Sequence, residues 1–118
     1  MSIEFITNNT DKNTLVFHLK GRILGHSETE SLFQSFEDEI EKGKTNFIYD
    51  LKKLECLNSA GLSLFIKVFK KIKIKGGKFA LTNMTPRVEK ILEITKLDTV
   101  FSTYDQLNEA VASFEIRT

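Results

Sequence analysis

The densest run of groups able to do chemistry is Asp50-Leu51-Lys52-Lys53-Leu54-Glu55-Cys56-Leu57-Asn58-Ser59-Ala60-Gly61-Leu62. A buried strand feeds a loop here, and the loop feeds a helix with Ser59 at its entry. A serine at that position accepts hydrogen bonds from backbone amides that lack a partner inside the helix, which makes it an N-cap. Ala60 and Gly61 are small enough for another backbone to approach closely. Asp50 and Glu55, on or beside the strand end, are the nearest candidates for convergent titratable groups, and both also read as structural. Cys56 sits in an apolar setting between Leu54 and Leu57, which predicts a buried, unreactive thiol.

Other routes to catalysis find no support. The chain has no CxxC, no HExxH and no GxxxxGK[ST]. His18 and His26 are read as structural, with no Cys or carboxylate recognised at metal-ligand spacing. Gly76-Gly77 follows a helix rather than opening one, so it is a C-cap and turn and not a phosphate cradle. No nucleophile is paired with a recognisable base. The expectation is no catalytic residue, no metal site and no cofactor.

The elements that position Ser59 follow from hydrophobic spacing. Residues 3–7 and 14–20 read as two strands of a hairpin ending at Gly21, with Leu15, Phe17 and Leu19 on one face. Gly21-Arg22-Ile23-Leu24-Gly25-His26 reads as a turn. Ser27 with Glu30 fits a capping box before Leu32, Phe33, Phe36 and Ile40, and Gly43 closes that helix. Residues 46–51 form an apolar central strand. The helix opened by Ser59 carries Leu62, Phe65, Ile66, Phe69 and Ile72 inward and ends at Gly76-Gly77. Residues 78–82 are a strand, and Thr85-Pro86 starts a helix with Val88, Ile91 and Leu92 inside. Residues 99–101 are a brief strand, and Asp105 caps a last helix built on Leu107, Ala110, Val111 and Phe114. The order is β-β-α-β-α-β-α-β-α, an α/β fold with a mixed five-stranded sheet and four helices.

With 118 residues the chain is one domain, 1–118. It is 41% hydrophobic and 28% charged, which fits a globular core and excludes disorder. Its 17 basic and 16 acidic residues give a formal net charge of +1, so no global field points to direct nucleic-acid binding. Acidic residues gather from Glu28 to Glu41 and lysines from Lys67 to Lys78; both runs read as solvated helix faces, an acidic partner for the lysines being the other reading. No apolar run resembles a signal peptide or reaches the roughly 18 to 20 residues that span a bilayer, so membrane insertion is not expected and the cytoplasm is. The single Cys56 excludes an intramolecular disulfide.

The stretch from Asp50 to Leu62 resembles the signature of STAS domains, in particular the anti-sigma factor antagonists. In that signature a strand ending in Asp/Asn-Leu precedes a spaced Leu and Asp/Asn-Ser-small-Gly-Leu. Asn58, Ser59, Ala60, Gly61 and Leu62 match without a gap, and the similarity extends to Gly76-Gly77, Thr85-Pro86 and residues 97–101. The resemblance implies a STAS-like fold and a phosphoacceptor role for Ser59. Asn58, Ala60, Gly61 and Leu62 would surround it on the partner surface. The implied partner is an anti-sigma factor that is also a serine kinase, bound when Ser59 is unphosphorylated and released when it is phosphorylated, with a phosphatase restoring binding. Asn58 stands where the family often has Asp. The Gly21–His26 turn lacks the family's frequent acidic residue, leaving Arg22 and His26 to hold a partner there. A monomer in isolation is expected. Two alternatives remain open: a constitutive STAS accessory subunit of a membrane ABC transporter, with Ser59 only a helix cap, and a small-ligand-binding STAS module.

Overall fold

Alternation of apolar residues along adjacent strands gives the sheet two faces. In the computed structural model, which describes residues 3–10 and 13–115, β1 (Ile3–Asn9) pairs antiparallel with β2 (Thr14–Ile23). Then follow α1 (His26–Glu41), β3 (Asn46–Leu57), α2 (Ser59–Ile74), β4 (Lys78–Thr82) and α3 (Pro86–Ile94). A 3-10 turn (Leu97–Thr99), β5 (Ser102–Tyr104) and α4 (Leu107–Glu115) complete the chain. The sheet runs β1-β2-β3-β4-β5, parallel from β2 onward. Right-handed crossovers between neighbouring parallel strands place their helices on one face. Accordingly α1, α2 and α3 bury Leu32, Phe36, Phe65, Val68, Val88 and Leu92 against Phe17, Phe47, Tyr49 and Leu81. Among the described residues only α4 covers the other face, where Ala110, Leu107, Val111 and Phe114 pack on Val16, Ile48 and Ala80.

Tyr49 sits at the centre of the larger core, its ring 5.2 Å from Phe17, 5.6 Å from Phe65 and 5.0 Å from Phe79. Its hydroxyl is fully buried with no hydrogen-bond partner among the described residues, and burial pushes its pKa up. Desolvating a hydroxyl without pairing it is costly. Tyr49→Phe removes only that oxygen and is expected to raise unfolding free energy by about 1 kcal/mol. Urea denaturation checks this, and a loss of stability would contradict it.

Several local expectations are corrected. β3 does not end at Leu51: it continues to Leu57, and β2 continues through Gly21 to Ile23. The register shifts between His18/Lys20 and between Gly21/Arg22, each time with one extra residue on β3. Such bulges break the two-residue period. Leu51, Leu54 and Leu57 are all buried at a spacing of three, a pattern that imitates a loop. Gly21 meets the second shift with φ +107°, a conformation natural to glycine. The strand expected at 99–101 lies at Ser102–Tyr104 instead. Phe101 is drawn into the core against Phe69 and Phe79 before the chain reaches the sheet.

Two caps also move. The N-cap of α1 is Gly25, not Ser27. Glu28 supplies the carboxylate, accepting from the Leu24 amide at 3.3 Å. At α4, Gln106 rather than Asp105 holds the entry, its amide donating to Glu109 Oε1 at 3.0 Å. Thr85 caps α3 as expected, accepting from the Val88 amide with Pro86 next. The lysine and acidic runs partly answer each other. Lys71 Nζ lies 2.6 Å from Glu37 Oε2, and Lys67 Nζ sits 4.4 Å from the Phe33 ring centre.

Candidate functional site

β2 and β3 end side by side, so α1 and α2 start at the same edge of the sheet. Carboxyl ends of parallel strands are where open α/β sheets present their binding surfaces. Asn58 ties the two starts together. Its backbone amide donates to Ile23 O at 3.2 Å and its Nδ2 donates to Leu24 O at 2.9 Å. Its Oδ1 accepts from the amides of Ala60 at 2.9 Å and Gly61 at 3.4 Å. Asn58 is therefore the N-cap of α2. An aspartate here would keep the cap but lose the donor to Leu24, which gives the amide its own reason at this position.

Ser59 is not the cap. It is the first residue of α2, exposed, and its hydroxyl makes no hydrogen bond among the described residues. The first turn of α2 carries no acidic residue, so the positive end of its dipole is uncompensated. Ala60 is half-buried and Leu62 packs on the core. Gly61 is buried: a Cβ there would lie 2.9 Å from Leu57 Cβ and 3.2 Å from Ile23 Cγ2. Gly61 thus supports the surface from beneath, as packing for α2 against β3, and does not lie on it.

His26 opens α1 and is exposed, its Nε2 3.2 Å from Glu30 Oε2. It lines a groove between α1 and α2 with Ala60, Ser63, Phe33 and Lys67. Arg22 is a strand residue and not part of a turn. Its Nε lies 3.4 Å from Glu55 Oε1, with both side chains mostly exposed. Leu24 was not singled out by its sequence position, yet it is 40% exposed beside the Asn58 cap. Its signal was faint, an apolar residue directly after the buried Ile23.

Asp50 and Glu55 do not converge. Burial raises the Asp50 pKa, but hydrogen bonds from Asn83, His18 and Lys52 more than offset it, so its carboxyl is held below the usual range. His18 Nδ1 is 2.7 Å from Asp50 Oδ2, and Asn83 Nδ2 donates to Asp50 Oδ1 at 3.0 Å. Both histidines therefore have carboxylate partners, one across the sheet and one a helical turn away. Cys56 is half-buried instead of buried, because the second register shift places it off the inward positions of β3. Among the described residues, no group of three His, Cys, Asp or Glu side chains gathers to hold a metal ion.

The division of labour between Asn58 and Ser59 is directly testable. Asn58→Ala removes a cap and a loop tether and is expected to cost about 2 kcal/mol. Ser59→Ala is expected to change stability by less than about 0.5 kcal/mol. Thermal or urea unfolding of the two variants decides the matter; equal costs would return the cap to Ser59.

Residues 5–110 match the STAS domain family. A Thermotoga neapolitana protein provisionally named an anti-sigma factor antagonist is 32% identical over 92 residues, covering 76% of this chain and 81% of that protein. The crystal structure of an anti-sigma factor antagonist from Mycobacterium paratuberculosis superposes with a TM-score of 0.84 at 22% identity, over 98% of this chain and 96% of that one. The anti-sigma factor antagonist SpoIIAA, in its unphosphorylated form, gives 0.81 at 19% identity, over 98% and 100% of the two chains. The phosphorylated form of the same Bacillus cell fate determinant gives 0.73 at 21% identity, over 93% and 98%. These superpositions match the five-stranded mixed sheet and its four helices.

Proposed function

This chain belongs to the STAS domain family, among the anti-sigma factor antagonists, and from that premise we propose that it works by partner switching at Ser59. With Ser59 unmodified, the surface around the start of α2 binds an anti-sigma factor that is also a serine kinase. Phosphorylation of Ser59 by that partner ends the complex, and a phosphatase restores it. The protein catalyses nothing itself, and it acts in the cytoplasm as a monomer until a partner binds. Among the described residues, no helix is long and apolar enough to cross a membrane.

One observation carries the reading: Ser59 is exposed, and its hydroxyl has no hydrogen bond among the described residues, on a helix that its neighbour already caps. A serine needed for structure could not be modified without cost, and this one has no structural bond to lose. A phosphate adds about −1.5 to −2 charges at neutral pH. At the first position of α2 those charges meet the positive helix end, so the fold accepts them. The docking surface does not accept them. Leu24 and Ala60 offer apolar contact beside Ser59, and a partner pressed there would have to desolvate the phosphate. His26 borders the same surface, while Arg22 is tied to Glu55 and contributes at its margin. The reading as a constitutive transporter subunit gave Ser59 the cap; Asn58 performs that task.

The test is phosphotransfer. Incubated with ATP and a serine-kinase anti-sigma factor, the protein is expected to gain one phosphoryl group mapped to Ser59, and Ser59→Ala none. Equal incorporation into Ser59→Ala would contradict the proposal.

A further inference from the structure

The sheet face opposite α1, α2 and α3 is covered unevenly. α4 packs over β3, β4 and β5 and reaches Val16 near the start of β2, while among the described residues no helix covers β1 or the rest of β2. There Ile6 stands 72% exposed at the rim of a groove of about 460 Å³. The floor is a row set by strand register, Ile6 opposite His18 and His18 opposite Asp50. Asp50 is fixed by the Asn83 side chain at 3.0 Å and by the Lys52 amide at 3.1 Å, and in turn holds His18 Nδ1 at 2.7 Å. That commitment leaves Nε2 as the nitrogen His18 has for a ligand, and among the described residues nothing bonds it.

The first bulge adds cations to this floor. The extra residue on β3 places Lys52 and Lys53 together at the groove, and Lys53 is the register partner of Lys20. Unlike Lys71, none of these three lysines forms an ion pair among the described residues. Bulges commonly re-aim side chains beside binding sites. One carboxylate besides Asp50, that of Glu4, also lines the groove.

From this geometry we infer that the groove is a second site, separate from Ser59, which binds a small monocarboxylate with an apolar body. The carboxylate sits among Lys20, Lys52, Lys53 and His18 Nε2, and the hydrocarbon lies along Ile6. Glu4 and Asp50 leave only a modest positive excess, which suits a singly charged head better than a doubly charged phosphate. A concave apolar surface with a few convergent polar groups is the usual form of a small-ligand site. The inference does not depend on the switch at Ser59.

Octanoate is the probe, followed by amide chemical shifts in the full-length protein. Saturable shifts are expected at Ile6, His18 and Lys52, with 1-octanol and octylamine producing none. The double variant Lys52→Gln, Lys53→Gln alters exposed side chains only and is expected to bind octanoate at least tenfold more weakly. Octanol shifts equal to those of octanoate would reduce the groove to an apolar patch and overturn the inference. So would the absence of saturable octanoate shifts up to about 10 mM, weaker than any useful affinity.

Discussion

Replacing Gly77 by alanine is expected to cost about 3 kcal/mol or more, the upper range of overpacking in a closed site. Gly77 joins α2 to β4, and its amide donates to Ile72 O at 3.0 Å. A Cβ at this position would run into the Thr45 carbonyl oxygen and lie 2.8 Å from the carbonyl carbon. Both atoms are backbone, in the segment that leads into β3, so no side chain can swing aside. The chain must move β3 or the end of α2, and both are core elements. Gly76 is the internal comparison. Its φ is +77° but a Cβ there meets nothing within 4 Å, so Gly76→Ala carries only the left-handed backbone cost of about 1–2 kcal/mol. Urea titration of the two variants should separate them clearly. A smaller loss for Gly77→Ala than for Gly76→Ala would contradict the packing described for this turn.

Ser59→Glu is expected to weaken binding to the anti-sigma factor about a hundredfold or more, on the ~3 kcal/mol scale of an unpaired charge buried at an interface. Folding stability should hold or rise by about 0.3–1 kcal/mol, because the new carboxylate faces the positive end of α2. This pairing of outcomes matters. A mutation that merely unfolded the protein would lose both, and a serine acting as a helix cap would lose stability first. Ser59→Ala should bind as tightly as the unmodified protein, and calorimetric titration of the two variants against one partner measures the contrast. Affinity unchanged in Ser59→Glu would sink the switch.

Much of the fold was legible because its signals were local. Leu15, Phe17 and Leu19 marked β2 by alternation, and Thr85-Pro86 marked the start of α3 by side-chain and ring chemistry. Ser59 at a helix entry was legible too, but its role was not. Asn58 and Ser59 are both good caps, and the choice is made by Leu24 O, which bonds Asn58 Nδ2 from 34 residues away. Gly61 looked like open space for a partner, whereas Leu57 and Ile23 occupy it. β3 was read too short because its two bulges belong to the pairing with β2 and leave no period in β3 itself. The His18–Asp50–Asn83 chain was invisible for the same reason, its members being 32 and 33 residues apart. Except for the Leu57 contact beneath Gly61, the missing information was a contact between segments more than 30 residues apart.

If partner switching governs this protein, Ser59 is a modification site and not a structural residue. Intact-mass measurement of the protein purified from its own host, with site mapping, tests it without any partner having to be identified. A phosphoryl increment located on Ser59 is expected, in a fraction of molecules that changes with growth condition. A protein that stays unmodified through growth and stress, or carries its phosphate elsewhere, would contradict it.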